Sequence, residues 1–168
     1  TFASTSFEDA PADRARNQVT SGFGQVILRP FKGLTLTGGV RHDDYSDYGG
    51  QTTLGGNIAY TPNDGSTVVR ATYGEGFRAP TLSEGQPPFG NPDLKPETAR
   101  NFDLGIEHKF LQGKAQVTAT YFNRKSTDLI AFSFTTFQSE NIDRVNSEGV
   151  ELGFAVQPTE RLDIQANY

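Results

Sequence analysis

Gly74–Glu97 reads GEGFRAPTLSEGQPPFGNPDLKPE and is the longest stretch of the chain that cannot form a regular strand. Proline has no backbone N–H to donate to a strand ladder. The stretch contains five prolines, at Pro80, Pro87, Pro88, Pro92 and Pro96. On both sides of it the chain alternates apolar and polar residues in short runs, which is typical of strands with two different faces. The sequence therefore predicts an all-β chain arranged around one long irregular connection.

The clearest alternation is in Ala99–Phe110, where one face is almost wholly apolar and the other almost wholly hydrophilic. Runs of this kind predict eight strands, at Gln18–Pro30, Leu34–Arg41, Thr53–Thr61, Thr67–Phe77, Ala99–Phe110, Lys114–Asn123, Val150–Gln157 and Leu162–Tyr168. Each is long enough to cross a bilayer at a tilt. The pattern predicts an antiparallel, up-and-down transmembrane β-barrel section.

The connections between these strands alternate in length. Tight turns are predicted at Phe31–Gly33, Pro62–Gly65, Leu111–Gly113 and Pro158–Arg161, and longer connections at Asp43–Gln51, Gly74–Glu97 and Arg124–Asn146. In outer-membrane barrels the short turns are periplasmic and the long loops extracellular. Both ends of the chain would then lie on the extracellular side, which predicts a middle section of a larger barrel. Residues 1–17 are polar and without a period, so we expect a loop there, followed by a barrel domain over residues 18–168.

Four phrases carry a resemblance to a known family. They are GFRAPTLSE at Gly76–Glu84, GNPDLKPET at Gly90–Thr98, YFNRKSTDLI at Tyr121–Ile130 and NIDRVNSEGVEL at Asn141–Leu152. In this order they resemble the TonB-dependent outer-membrane receptors, including the siderophore and vitamin B12 receptors. The resemblance covers most of the chain from about Val19 onward.

This resemblance implies a 22-stranded barrel with a plugged lumen, of which the chain would supply about eight strands and no plug domain. It also implies a Gram-negative outer membrane, with outer-membrane lipid around the barrel. The implied function is energy-dependent uptake of a scarce nutrient, such as an iron–siderophore complex or cobalamin. The substrate would bind at extracellular loops, and the TonB–ExbB–ExbD complex would drive transport through the plug.

The composition fits a barrel and excludes several other classes. Only 35% of the 168 residues are hydrophobic, with 18 glycines and 13 phenylalanines, which suits strands with one face on lipid and one on water. No apolar run approaches the roughly 18 residues of a transmembrane helix. The net charge of −5 provides no basic face for nucleic acid. The absence of cysteine removes disulfides, thiol catalysis and cysteine-metal sites.

The candidate binding residues lie in the longer connections, within Asp43–Tyr48, Phe77–Gly90 and Phe132–Glu140. Among them, Phe77, Arg78 and Phe89 are the predicted substrate contacts, because aromatic rings and arginine suit planar, anionic chelates. The glycines around Phe77 would let the strand bend so that Phe77 and Arg78 turn inward. A structural ion pair is the alternative role for Arg78.

No catalytic, cofactor or metal site is predicted. GEGFRA at Gly74–Ala79 matches a dinucleotide fingerprint, but no helix can start next to Pro80. The acidic Asp43–Asp47 segment departs from the EF-hand pattern for Ca²⁺. His42 and His108 are the only histidines and have no partner at ligand spacing. We therefore expect a binding protein and not an enzyme.

Two other classes remain open at this point. A small passive porin or structural barrel would close within this one chain and have its loops on the opposite side. A soluble β-sandwich binding module would need Greek-key connections and a buried core. An open section with unpaired edge strands is expected to aggregate unless detergent or the rest of a barrel is present.

Overall fold

The computed structural model of the chain describes residues 18–62 and 65–168. Its eight strands are antiparallel and form one sheet in chain order. They are β1 (Val19–Leu28), β2 (Leu34–Tyr45), β3 (Gly49–Tyr60), β4 (Thr67–Arg78), β5 (Glu97–Phe110), β6 (Ala115–Ser133), β7 (Gln138–Thr159) and β8 (Leu162–Asn167). A short helix, α1 (Leu82–Gly85), lies between β4 and β5. The predicted all-β, up-and-down architecture is confirmed, while the loop expected at residues 1–17 and the centre of the turn at Pro62–Gly65 lie outside the described residues.

The sheet has no second layer in the described part of the chain. Leu94 and Ala115 are the only buried apolar residues there, whereas Leu104 and Ile106 each expose 47% of their surface. Every strand pairs with its neighbour in sequence, so the Greek-key sandwich is contradicted. No pairing joins β8 to β1 among these residues, which contradicts a small barrel closed by this chain alone. No helix in the described residues has the length and apolar character needed to span a membrane.

The strand register gathers the apolar side chains on one face of the sheet. Directly opposed pairs on this face include Leu36 with Ile58, Val69 with Ile106, Leu104 with Tyr121, Ala119 with Leu152 and Val156 with Ile164. The opposite face carries charged pairs and polar residues, such as the Arg70–Glu107 ion pair at 3.1 Å. We call these the apolar face and the polar face. A one-residue slip anywhere would mix them, so the two-residue alternation fixes the register.

The apolar face is a slanted band. On the side of the long β4–β5 connection, its last apolar residues are Val40 and Leu54, then Tyr73 and Phe102, then Tyr121 and Val150. On β3 the last apolar residue, Leu54, lies two residues beyond Gly56, which is the partner of Tyr73. On β6 the last apolar residue, Tyr121, opposes Leu104, which lies two residues short of Phe102. The margin of the band therefore moves by two residues every two strands. Two residues span about 7 Å along a strand, and two neighbouring strands span about 9.6 Å across the sheet. The strands therefore tilt by about 35° from the direction perpendicular to the margin of the band. Strands of transmembrane barrels tilt by this amount.

The height of the band also fits a membrane. On β5 it runs from Phe102 to Phe110, about 27 Å along the strand and about 22 Å in height at that tilt. Outer-membrane barrels carry an outward apolar band about 25 Å tall, flanked by aromatic residues. Tyr73, Phe102 and Tyr121 provide such aromatic residues at the margin nearest the β4–β5 connection, which we call the upper margin. Tyr60 and Phe110 lie at the opposite, lower margin.

Two of the predicted long connections are wrong. The structure has strand where Asp43–Gln51 and Arg124–Asn146 are predicted to be loops, so that β2–β3 and β6–β7 are joined by short turns at residues 46–48 and 134–137. Above the band apolar and polar residues no longer alternate, as the four consecutive apolar residues Leu129–Phe132 of β6 show, although backbone pairing continues. The connection between β4 and β5 is the long irregular one. We call the side of the sheet where it lies the loop end.

Candidate functional site

Three connections meet at the loop end. The connection from Ala79 to Pro96, here called the central loop, lies between the tips of the β2–β3 and β6–β7 hairpins. On one side the ring of Phe77, in the part of β4 just before this loop, lies 5.5 Å from the ring of Tyr45. On the other side, the backbone N–H of Ser139 donates to the carbonyl oxygen of Phe89 at 3.1 Å. The central loop is therefore held by both neighbouring hairpins.

Arg78 joins the central loop to the sheet. Its Nη1 donates to Glu84 Oε2 at 3.0 Å, and its Nη2 donates to Glu97 Oε1 at 2.6 Å. Glu97 Oε1 also accepts the backbone N–H of Ile130 at 2.8 Å. The arginine is 42% exposed and both carboxylates are less so. Charge-assisted bonds of this geometry are among the stronger polar contacts in proteins, so this network fixes the start of the loop against β5 and β6.

Glu84 closes the first turn of the loop. Its Oε2 accepts the backbone N–H of Thr81 at 2.8 Å, while its own N–H donates to Thr81 Oγ1 at 3.4 Å, which is a capping box around α1. Burial alone would raise the pKa of Glu84, but the bonds from Arg78 and Thr81 outweigh it and lower that pKa. The carboxylate is therefore held ionised, with several donors directed at it.

Asn141 ties the other end of the loop to the β6–β7 hairpin. Its Oδ1 accepts the backbone N–H of Lys95 at 2.8 Å, and its Nδ2 donates to the Lys95 carbonyl at 2.9 Å. The same Nδ2 donates to the Asp128 carbonyl at 2.7 Å. One side-chain amide thus replaces the strand partner that the proline-rich backbone lacks. Leu94, beside it, is one of the two buried apolar residues described above.

Phe89 stands at the outer surface of the central loop. Its side chain is 60% exposed, while its carbonyl is held by Ser139. The next residue, Gly90, is buried, and a Cβ there would lie 2.2 Å from the backbone N and O of Gln86. The N–H of Gly90 also donates to the Gln86 carbonyl at 2.7 Å. This tight turn presents an exposed aromatic ring on a constrained backbone.

The structure separates the three predicted contacts. Phe77 and Arg78 both belong to β4, paired with Thr98 and Glu97, and consecutive strand residues point to opposite faces. The register therefore places Arg78 on the polar face, whereas the ring of Phe77 packs against Tyr45 of β2, so the two side chains do not turn in the same direction. Arg78 makes the ion pairs that the sequence offered as its alternative role. Phe89 lies further along the central loop.

Sequence reasoning missed the residues that hold the loop, namely Glu84, Glu97 and Asn141. Asn141 and Lys95 are 46 positions apart, and the alternation pattern carries no signal for such a contact. One available signal is the run of prolines itself. A segment that cannot donate enough backbone hydrogen bonds must be satisfied by side chains from elsewhere.

The remaining predicted positions have ordinary partners. Asp43 accepts hydrogen bonds from Arg41 and Ser21, and His42 and His108 each contact a threonine hydroxyl, at 2.8 and 2.9 Å. No group of three or more potential metal ligands occurs in residues 18–62 and 65–168. The GEGFRA phrase is part of β4 up to Arg78, and the short helix α1 begins at Leu82 with its N-cap at Thr81, so the expectation that no helix starts next to Pro80 is wrong.

Comparison with known proteins gives consistent relatives. The family model described as TonB dependent receptor-like, beta-barrel, matches residues 2–168. The vitamin B12 transporter BtuB of Vibrio cholerae is 32% identical over 152 residues, covering 87% of this chain and 24% of the relative. The heme/hemopexin utilization protein C of Haemophilus influenzae is 30% identical over 200 residues, covering 90% and 27%. The chain thus spans about a quarter of the length of these relatives.

A solved structure shares the same sheet. The siderophore receptor PirA of Pseudomonas aeruginosa superposes with a TM-score of 0.83 at 26% identity, covering 91% of this chain and 31% of that one. The slanted apolar band, the open eight-stranded sheet and the family match over nearly the whole chain agree. This chain belongs to the TonB-dependent receptor family and is a section of its transmembrane β-barrel.

Proposed function

We propose that the chain is part of an outer-membrane receptor that takes up a scarce nutrient, such as an iron–siderophore complex or cobalamin, by energy-dependent transport. One observation carries the proposal. The slanted apolar band has, beyond one of its margins, the central loop, which side-chain contacts hold in place. The band supports a sheet that crosses a membrane, and the loop held by side-chain contacts supports a binding surface on one side of that membrane. The names of the relatives supply the substrate class.

The proposed role of the loop end is binding, with no catalytic step. Phe77, Arg78 and Phe89 are the proposed contacts from this section. Phe89 has the exposed ring, which suits the flat surface of a metal chelate. The guanidinium of Arg78 is shared between Glu84 and Glu97, so it would act by holding the loop in position and by offering its exposed edge.

Transport would need parts beyond this section. The proposed partners are outer-membrane lipid around the apolar face and the TonB–ExbB–ExbD complex, acting through a plug domain. In this orientation the loop end, where the central loop lies and where β6 and β7 extend beyond the band, faces outward, and the turns at Phe31–Gly33 and Leu111–Gly113 face the periplasm.

Uptake by a full-length receptor carrying this segment tests the proposal. Cells that lack their own receptors would receive radiolabelled ferric siderophores, haem or cyanocobalamin, with and without a protonophore and with and without TonB. We expect saturable uptake of one of these, abolished by the protonophore and by loss of TonB. A linear flux insensitive to both would instead identify a passive pore and contradict the proposal.

The binding residues are tested separately with Phe89→Ala. Loss of the exposed ring should weaken substrate binding by about fivefold or more, as for other cation or chelate contacts with aromatic rings. Phe31→Ala is the matched control, since Phe31 is similarly exposed (58%) but lies at the opposite end of the sheet. Equal affinity of both variants for the substrate would remove Phe89 from the site.

A further inference from the structure

A group of cations lies beyond the aromatic margin of the apolar band, toward the loop end. On β5, Arg100 is one alternation beyond Phe102 on the same face, and on β6, Lys125 lies two alternations beyond Tyr121. Arg144 is on the same face of β7. All three side chains are exposed. We call these three residues the outer basic cluster.

The register brings the cluster together. Arg100 is directly opposite Lys125, and Arg144 is opposite Thr127, which makes it the diagonal neighbour of Lys125. Opposed residues have Cβ atoms about 5 Å apart and diagonal ones about 7–8 Å. Like charges placed directly opposite each other destabilise a sheet, so a counter-anion at this position would stabilise the arrangement.

The carboxylates nearby are largely occupied. Glu75 lies 3.6 Å from Arg100, but it also accepts the hydroxyl of Tyr73 at 2.6 Å and the backbone N–H of Leu54 at 3.0 Å. Glu148 accepts Asn123 Nδ2 at 2.9 Å. Within the described residues, neither Lys125 nor Arg144 makes an ion pair or a side-chain hydrogen bond. Two of the three cations thus have no counter-charge among the described residues.

The cluster lines an open cleft of about 480 Å³ where β3 and β4 separate beyond Gly55 and Gly74. Hydroxyl groups join the cations in this cleft, since Thr98 and Thr127 line it with their Oγ1 atoms 3.2 Å apart. Basic side chains with neighbouring hydroxyls are a suitable set of donors for phosphate oxygens.

We propose that the outer basic cluster binds the phosphate of a phosphorylated lipid in the leaflet at the loop end. The position favours a lipid over a free anion, because Arg100 lies one alternation past the aromatic margin, about 7 Å along the strand. Acyl chains packed on the apolar band would place a headgroup at this height. The long stems of lysine and arginine can also lie along apolar surface with their charges at the interface.

This proposal rests on the membrane placement made under the proposed function. Its test uses a full-length receptor carrying this segment, delipidated in a non-ionic detergent and titrated with diphosphoryl lipid A while bound lipid is counted by native mass spectrometry. Loss of two interfacial cations in Lys125→Gln/Arg144→Gln should weaken lipid binding about 25-fold, at about fivefold per cation. The single variants should each weaken it about fivefold, which keeps the test valid if the double variant folds poorly.

A matched control removes the same charge from the polar face. Arg124 directly precedes Lys125 and points to the opposite side, so Lys109→Gln/Arg124→Gln should keep the affinity for lipid A. An equal loss in this control, or no loss in the cluster variants, would overturn the proposal. Displacement of the lipid by millimolar inorganic phosphate would overturn the assignment to a lipid. Nutrient binding by the same preparations separates the two proposals, since its absence would contradict the proposed function and leave the lipid result intact.

Discussion

At the scale of single residues, Gly90 is the position in the central loop that leaves no room for a side chain. A Cβ there would lie 2.2 Å from backbone atoms of Gln86, which cannot move aside as a flexible side chain can. We expect Gly90→Ala to open the turn beside Phe89, at a cost of about 1–3 kcal/mol to local stability. Protease cleavage within the loop of the full-length receptor, followed over time, measures this opening.

Gly85→Ala is the control for that experiment. It lies in the same loop, and its new Cβ would meet the Tyr48 hydroxyl at an ordinary 3.5 Å. Cleavage should stay at the wild-type rate. Equal rates for Gly90→Ala and Gly85→Ala would show that the Gly90 contact does not determine the loop conformation.

Glu84 makes the central loop sensitive to acid. Its pKa is lowered in the folded state, so its contribution to stability is complete above its ordinary value of about 4.3 and is lost as the pH falls through the lowered value. Since this chain has no cysteine, a spin label at Asp93→Cys reports on the loop. We expect the label to become mobile only at a pH below that ordinary value.

Glu84→Gln separates this effect from general acid unfolding. The amide that replaces the Glu84 carboxylate cannot ionise. The label should therefore be mobile already at neutral pH, and its mobility should not change as the pH falls. A transition above pH 5, or the same transition in Glu84→Gln, would contradict the role given to this carboxylate.

At the scale of elements, the sequence predicted strands well where they cross the band and poorly above it. Ala99–Phe110 lies within β5, whereas Arg124–Asn146, predicted as a loop, is largely strand. The two-residue alternation requires two different environments, and above the band both faces meet water. The same limit explains the site, because Phe89 is visible as an aromatic residue in a loop, while Asn141 depends on pairing between distant segments.

Asn141 is the element-scale test of how the loop is held. Asn141→Ala removes two hydrogen bonds that join Lys95 of the central loop to β7, and one that joins β7 to Asp128 of β6. At about 1 kcal/mol for each of the two bonds to the loop, local opening should become easier by about 2 kcal/mol. Hydrogen exchange at the Lys95 amide measures this change directly.

Asn146→Ala on the same strand provides the comparison. Asn146 is exposed, and no side-chain hydrogen bond involves it in the described part of the chain. Exchange at Lys95 should be unaffected. Unchanged exchange in both variants would show that the Asn141 hydrogen bonds do not hold this end of the loop.

At the scale of the whole molecule, the slanted band predicts which face of the sheet meets lipid. Ile106 is at the middle of the band, so Ile106→Arg should cost about 2–4 kcal/mol for a full-length receptor refolded in vesicles. Thr120→Arg adds the same charge on the polar face of the neighbouring strand and should cost much less. Urea titration measures both, and equal costs would contradict the assignment of the faces.

The length of β6 and β7 has a further consequence for a cell that carries this protein. Beyond Tyr121, β6 continues to Ser133, which adds about 40 Å of strand above the band. The hairpin ends in Phe134 and Phe137, exposed by 81% and 61%. In the proposed orientation this aromatic tip extends outward next to Phe89, whose carbonyl accepts the Ser139 N–H at 3.1 Å. An antibody or a bacteriophage tail that binds the tip would therefore cover part of the surface proposed for nutrient binding, so that immune recognition and phage attack would compete with uptake.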